Sequence, residues 1–277
     1  NPKKAFQFDS LIMAEAFWAG VEELTGASVG YARSGRLQPL ADHRAVELAR
    51  ARAVSAADLW QGKAVWNVIP AGDAQWMPPS PSGLVVHDTL SALIHPRRAT
   101  RALADAVIAL GGEVLTDGAP QGRVVWAVGW QGLAEVGGAG VKGQAALLRF
   151  DAAGQPQLFA DALHIIPHGD GTVAVGSTSE RDFDDPVATD AALDDVLARA
   201  VAAFPMLAGA PVVERWAGVR PRSRSRAPVL GHHPTRAGEF IANGGFKIGF
   251  GMAPKVGEVM ADLVLDGRDV VPEGFAP

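Results

Sequence analysis

Four arginines alternate with other residues in the last third of the chain and could hold an anion. Arg220, Arg222, Arg224 and Arg226 lie two apart in the segment RPRSRSR, so on a β-strand their side chains would share one face. Three interpretations are open: a nucleic-acid patch, a solvated rim, or one arginine with a special role. A planar guanidinium binds a carboxylate through two charge-assisted hydrogen bonds, so the third interpretation predicts a carboxylate site.

A glycine-rich segment, GGFKIGFGMAP at 244–254, could hold negative charge with its backbone. Its four glycines precede Pro254, which we expect at a helix start. Such a turn exposes backbone N–H groups beside the positive end of a helix, which suits a permanent or developing anion. Gly249 is expected to need a positive φ that a β-branched residue cannot adopt. The alternative is a turn where glycines only permit close packing.

Other chemical motifs are absent or out of context. The segment GAGVKG at 138–143 matches GxGxxG, but the following QAALLRF favours a strand where a dinucleotide loop requires a helix. We therefore interpret it as a chance match. The seven histidines form no HExxH pattern, no GxSxG elbow occurs and there is no cysteine, so no metal site or serine hydrolase is predicted.

The elements that must position these residues interleave without a regular βαβα order, which predicts a mixed α/β fold. Apolar periodicity predicts helices over 10–24, 96–110, 190–204 and 254–265, the first capped by Asp9 or Ser10. Strands are predicted over 123–128, 145–150, 164–167, 172–177, 212–219 and 239–243. Residues 31–89 are predicted to form strands and loops without a long helix.

Composition narrows the function further. The 277 residues are 48% hydrophobic, enough for two domains or one large two-lobed unit. The net charge of −5 disfavours nucleic-acid and anionic-membrane partners. Neither a signal peptide nor a membrane span is predicted, and a cytoplasmic location is expected. Composition leaves the oligomeric state open.

Six segments resemble, in order, those of the D-amino-acid oxidase superfamily, the FAD-dependent oxidoreductases that include glycine oxidase and monomeric sarcosine oxidase. They are HPRRATRALADAVIALGGEV (95–114), VVWAVGWQGL (124–133), GVKGQ (140–144), HIIPHGDGTVAVGSTSE (164–180), WAGVRPRSRSRAPVLGHHP (216–234) and FIANGGFKIGFGMAP (240–254). The resemblance implies a two-lobed flavoprotein with a mixed, largely antiparallel substrate sheet. It assigns residues 1–30, 90–137 and 223–277 to an FAD-binding lobe, and 31–89 and 138–222 to a substrate-binding lobe.

The resemblance also implies roles for individual residues. Arg220 would bind the substrate carboxylate, with Lys247 and His164 nearby. Non-covalent FAD would contact two turns, whose matching residues are Gly129, Trp130, Gly244, Gly245, Phe246, Ile248, Gly249 and Phe250. The implied reaction is hydride transfer from an amino acid or secondary amine to the flavin. The alternatives are a non-catalytic binding or subunit role, and a flavin oxidase acting on a modified nucleotide.

The chain departs from the family pattern in three places. No strand, GxGxxG loop and helix precede Asn1, so we expect the chain as given to hold FAD weakly or not at all. The segment LTDGAPQGR at 115–123 is short where the family has a hairpin. Ser225 and His168 stand where relatives have aspartate and arginine.

Overall fold

The computed structural model describes residues 2–277; Asn1, the first residue of the predicted FAD-binding lobe, lies outside them. The helices are α1 (Pro2–Thr25), α2 (His43–Trp60), α3 (Pro96–Ala109), α4 (Gly129–Leu133), α5 (Ala191–Ala203) and α6 (Gly249–Asp266). The strands are β1 (Arg36–Pro39), β2 (Trp66–Pro70), β3 (Leu84–Asp88), β4 (Val125–Trp126), β5 (Ala139–Arg149), β6 (Gln157–Ala160), β7 (Leu163–Pro167), β8 (Thr172–Gly176), β9 (Val212–Arg222), β10 (Val229–His232) and β11 (Phe240–Asn243).

The strands form two sheets, and the predicted mixed α/β class is confirmed. The large sheet has eight strands in the order β2-β3-β1-β6-β7-β8-β5-β9, antiparallel except where β1 pairs with β6. The small sheet has the order β10-β11-β4, with β11 and β4 parallel. A largely antiparallel sheet can leave one face free of helices, and here the large sheet has two contrasting faces.

One face of the large sheet is the main hydrophobic core. A row of paired residues crosses it, namely Leu37, Leu158, Ile165, Val175 and Ala146. Helix α5 covers this row with Leu193, Val196 and Ala200, all buried. Because side chains alternate along a strand, the residues between these point to the opposite face.

The opposite face, which we call the charged face, has a different composition. Its central row is Phe159, His164, Gly176, Ala145 and Trp216, in register across β6, β7, β8, β5 and β9. By the same alternation Arg36 and Gln157 lie on this face at one side, and Arg220 lies on it at the other. The sheet therefore presents cations and aromatic rings to whatever covers this face.

Several predicted elements are confirmed with their caps. Helix α3 begins at Pro96, as predicted, with His95 as its N-cap residue. Asp190 caps α5 by accepting a hydrogen bond from the Ala192 amide. Gly267 ends α6 in the left-handed conformation, at φ 68°. These helices have the pronounced apolar stripes and end signals from which a boundary can be predicted.

The expectation that 31–89 lacks a long helix is wrong, because α2 spans 18 residues. The Asp42 carboxylate caps it, accepting a hydrogen bond from the Ala45 amide, and Gln61 ends it in a left-handed conformation. The segment is rich in alanine and arginine, which are strong helix formers. Its buried stripe consists partly of small alanines, so the apolar periodicity in the sequence was weak.

Two predicted helix starts are also wrong. Helix α1 begins at Pro2, so Ser10 is an interior, buried residue and not a cap. Helix α6 begins at Gly249, and Pro254 lies inside it. The two helices are in contact near these expected starts, because the Ser10 hydroxyl accepts a hydrogen bond from the Lys255 amide at 3.3 Å. Contact with α1 thus accompanies the proline that interrupts the backbone hydrogen bonds of α6.

No helix among residues 2–277 combines the length and apolar character that crossing a bilayer requires.

Candidate active site

Arg220 lies on the charged face near the end of β9, and a glycine makes room for it. In the neighbouring strand, a Cβ added to Gly143 would lie 2.1 Å from the Arg220 guanidinium nitrogens. The guanidinium donates hydrogen bonds to the Ser177 hydroxyl and, at 3.4 Å, to the Thr178 carbonyl. Burial lowers the pKa of Arg220, and the charge of Glu180 partly opposes this. Over residues 2–277 no carboxylate lies within ion-pair distance of it.

Lys247 approaches Arg220 because the glycine-rich turn is hydrogen-bonded to β9. The Phe246 amide donates to the Pro221 carbonyl at 3.1 Å, and Gly245 pairs with Arg222 in an isolated bridge. The ammonium group is exposed and lies 5.8 Å from the centre of the Phe246 ring. Partial burial and then the charges of Arg220 and Arg226 lower the pKa of Lys247.

His164 lies in the central row of the charged face. Its Nδ1 is 3.2 Å from Gln157 Oε1, and its ring centre is 4.8 Å from that of Phe159. Desolvation by the surrounding protein, together with the charges of Arg36 and Lys247, lowers the pKa of His164 to about 4, although the residue is in contact with solvent. The imidazole is therefore neutral at physiological pH. Since Lys247 acts electrostatically on His164 and is itself affected by Arg220, the structure brings the three predicted substrate residues into one region.

Arg36 and Asp88 belong to the same face, and no sequence motif indicates either residue. Arg36 Nε lies 2.9 Å from Asp88 Oδ2, and the guanidinium lies 5.6 Å from the centre of Trp66 and 5.9 Å from that of Phe159. The buried Asp88 carboxylate also accepts hydrogen bonds from the Ser91 amide and hydroxyl. Neither residue belongs to a motif, and the two are brought together by the pairing of β1 with β3.

The glycine-rich turn is held in place by Asn243, another residue without a sequence signal. Its side chain accepts a hydrogen bond from the Gly244 amide at 2.7 Å and donates one to the Gly129 carbonyl at 2.8 Å. One buried amide thus joins the two turns predicted to contact the cofactor. Gly244 has φ +77°, which favours glycine.

The expectation for Gly249 is wrong, whereas Gly245, like Gly244, cannot readily be replaced. Gly249 has no positive φ, and a Cβ there would meet no atom within 4 Å. A Cβ on Gly245 would lie 2.9 Å from Gly249 Cα, so a side chain would force the turn open. Helix α6 begins at Gly249 and not at Pro254 as predicted, so Gly249 and Phe250 lie in its first turn. The first amides of a helix have no acceptor within it, so they remain available to an anion.

Gly129 and Trp130 begin the short helix α4, with Gly129 at φ +67°. The Trp130 ring packs where a side chain of Gly140 would lie, at 3.0 Å from that Cβ. Gly140 and Gly143 are three residues apart on β5, so Trp130 and Arg220 lie on opposite faces of the sheet. The GxGxxG match thus lies in β5 from Ala139 onward, whereas a strand was predicted only after it, and its glycines make room for two large side chains.

Two cavities border these elements without containing Arg220, Lys247 or His164. One, of about 230 Å³, is lined by α1, α2, Trp66, Arg36 and Asp88. The other, of about 320 Å³, lies beside β4 and α4 and includes Trp126, His233 and Arg236. Among residues 2–277, no three His, Asp or Glu side chains are grouped to bind a metal ion.

The fold is similar to that of two solved oxidases. It superposes on glycine oxidase from Geobacillus kaustophilus with a TM-score of 0.84 and 22% identity, over 100% of this chain and 83% of that one. It also superposes on iminodiacetate oxidase from Chelativorans sp. BNC1, with a TM-score of 0.80 and 24% identity, over 95% of this chain and 82% of the other.

The chain belongs to the DAO family of FAD dependent oxidoreductases, whose sequence profile matches residues 6–263. Glycine oxidase of Pseudomonas putida is 34% identical over 176 residues, which is 63% of this chain and 47% of that protein. Glycine oxidase of Pseudomonas aeruginosa is 34% identical over 140 residues, 50% of this chain and 38% of that protein. The chain thus spans about half the length, or less, of the curated relatives it matches. The predicted superfamily and its non-covalent FAD are confirmed.

Proposed function

We propose that this protein, in its complete form, oxidises the Cα–N bond of a small amino acid or secondary amine. Similarity to glycine oxidases and the fold of iminodiacetate oxidase support this class of substrate. The observation that supports it most directly is the Arg220 guanidinium, which faces the charged side of the sheet without an ion-pair partner among the described residues. A substrate carboxylate would supply the two acceptors that a guanidinium binds best.

The residues near Arg220 fit an FAD. A Cβ would fill the turn at Gly245, and the first amides of α6 follow directly. We propose that Gly244, Gly245, Phe246, Ile248, Gly249 and Phe250 hold the ring system, with Gly129 and Trp130 behind them through Asn243. FAD when bound supplies the two-electron acceptor, so that the Cα–H bond breaks as hydride while the nitrogen lone pair forms a C=N bond.

The chain's own residues would orient and desolvate the substrate. Arg220 fixes the carboxylate, and therefore the direction of the Cα–H bond. His164 is neutral at physiological pH, because its pKa is lowered to about 4, and so adds no charge beside the substrate amine. Segments 1–30, 90–137 and 223–277 would form the FAD-binding lobe, and 31–89 and 138–222 the substrate-binding lobe.

The test is anaerobic reduction of the FAD-loaded, complete protein by a panel of glycine, alanine, sarcosine and proline. We expect at least one of these to bleach the flavin absorbance and to leave an imine-derived carbonyl product. Absence of bleaching by every amino acid and amine in an enlarged panel would favour the non-catalytic alternative.

A further inference from the structure

We infer that the site accepts an amino or imino acid with two carboxylates, one held by Arg220 and the second by Lys247. This inference rests on the proposed function and narrows its substrate class. It depends on the distribution of compensated and uncompensated cations around the charged face.

Arg36, another cation of this face, already has a charged partner. It is paired with buried Asp88 at 2.9 Å. A cation with a carboxylate this close contributes little net attraction for a further anion. Arg224 has no carboxylate partner among the described residues, but its side chain is exposed and donates a hydrogen bond to the Gly137 carbonyl at 3.2 Å.

Arg220 and Lys247 differ from Arg36. In the described part of the chain neither forms an ion pair, and Arg220 is bound only to a hydroxyl and a carbonyl. Like charges repel, so two neighbouring cations without a carboxylate are an unfavourable arrangement unless an anion occupies the site. The protein as a whole is acidic, with a net charge of −5, so this local excess of positive charge is not a general property of its surface.

A backbone hydrogen bond links the two segments that carry these cations. The Phe246 amide bonds to the Pro221 carbonyl at 3.1 Å, which joins the residue before Lys247 to the residue after Arg220. Both side chains therefore start from neighbouring, hydrogen-bonded backbone. A guanidinium and an ammonium placed this way suit one carboxylate that needs orientation and a second that needs only a nearby point charge.

A different role for Lys247 competes with this one. The turn that contains it is also proposed to contact the flavin, and an ammonium group there could balance negative charge on the reduced cofactor. The two roles predict different kinetics. Charge balance for the flavin would affect all substrates equally, whereas binding of a second carboxylate would affect dicarboxylates selectively.

The experiment compares substrates that differ only in the second charge. Aspartate and asparagine, each as a racemate, have nearly the same shape, and iminodiacetate is sarcosine with its methyl group extended by a carboxylate. We expect kcat/KM of the FAD-loaded, complete enzyme to favour the charged member of at least one pair by on the order of tenfold. Lys247→Met should abolish that preference, and Lys247→Glu should reverse it. The control is Lys255→Met, at a half-buried lysine on α6 that is paired with Glu258, and it should retain the preference.

The outcomes separate this inference from the proposed function. Oxidation of asparagine or sarcosine with no preference for the charged partner would overturn the inference and leave the proposed function standing. An equal loss with both members of each pair in Lys247→Met would also overturn it, in favour of the flavin role. If no member of either pair, and no other amino acid or amine, reduces the flavin, the proposed function itself fails.

Discussion

At the scale of single residues, Arg220 is the most specific prediction. A half-buried guanidinium that holds a carboxylate through two hydrogen bonds cannot be replaced by a point charge. We expect Arg220→Met to lower kcat/KM for an amino acid by about 10²–10³-fold, and Arg220→Lys to be nearly as impaired. Arg224→Ala is the control, because Arg224 is exposed and directed to the Gly137 carbonyl.

A substrate without the carboxylate distinguishes the loss of carboxylate binding from structural damage in the Arg220 variants. Steady-state kinetics with an amino acid and with its decarboxylated amine should show that the Arg220 variants lose much more activity on the acid. An equal loss on both substrates would contradict carboxylate anchoring.

His168 gives a pH-dependent prediction about stability. Its ring is buried, its centre lies 4.8 Å from that of His95, and Nδ1 has no hydrogen-bond partner among residues 2–277. Burial first, and then the charge of His95, lower the pKa of His168 to about 4. Between pH 6.5 and pH 4 the His168 side chain is therefore protonated in the unfolded chain but not in the folded chain. Its contribution to the free energy of unfolding is fully present above pH 6.5 and is lost as the pH falls toward 4.

The variant His168→Leu removes this proton linkage. We expect the free energy of unfolding of the wild type to fall more steeply between pH 6.5 and 4 than that of the variant, by at most about 3 kcal/mol. Urea unfolding at several pH values measures it. The exposed His43 provides the control, since His43→Gln should leave the wild-type slope unchanged.

Only some residues of the site could be predicted from the sequence. Arg220, Lys247 and His164 were placed by a resemblance to a family and then found in one region. Arg36, Asp88 and Asn243 had no signal, because what defines them is a partner distant in sequence: Asp88 for Arg36, and Gly129 for Asn243. Such pairs are created by strand register, which a single sequence does not reveal.

At the scale of elements, the packing of β5 against β9 controls the site. Gly143 and Gly218 are register partners, yet only Gly143 has the Arg220 guanidinium over it. A methyl group at Gly143 would displace the flexible end of Arg220, which costs little stability but moves the guanidinium. We expect Gly143→Ala to reduce kcat/KM for carboxylate substrates roughly as far as Arg220→Lys does, while Tm changes by only a few degrees.

Gly218, the register partner of Gly143 on β9, provides the control. Gly218→Ala introduces a methyl group with no atom within 4 Å and should leave both kcat/KM and Tm close to wild type. If Gly143→Ala were as active as Gly218→Ala, the position of Arg220 over Gly143 would be unimportant for the reaction.

The same strand shows why element prediction succeeded in part. QAALLRF was correctly interpreted as β-structure, so GxGxxG was rejected as a dinucleotide loop, but the strand begins earlier, at Ala139. Glycines inside a strand look like turn residues in a sequence, because the large side chains that need the space come from other elements. Helix α2 was missed for a related reason, since small alanines form much of its buried stripe.

At the scale of the whole molecule, one face of the large sheet contributes to stability and the other is proposed to serve function. The apolar face is closed by α5, and the charged face is proposed to meet substrate and cofactor. Ion pairs that join α3 to the sheet, Arg97–Glu214 and Arg98–Asp170, are partly exposed and should contribute little each. The overall class could be predicted because the order of motifs is a property of the whole chain. The division into lobes stays a prediction.

Stability should therefore depend on the core beneath α5. Leu193 is fully buried against the large sheet, so Leu193→Ala leaves a cavity and should reduce the free energy of unfolding by about 2–5 kcal/mol. Leu48→Ala, at a half-exposed position on α2, should change it by less than about 0.5 kcal/mol. Urea unfolding followed by both tryptophan fluorescence and far-UV circular dichroism measures the two variants. Because Phe8 of α1, in one predicted lobe, and Trp60 of α2, in the other, belong to one buried cluster, we expect the two probes to give one coincident transition that Leu193→Ala shifts as a whole. Two separated transitions, of which Leu193→Ala moved only one, would show instead that the predicted lobes unfold independently.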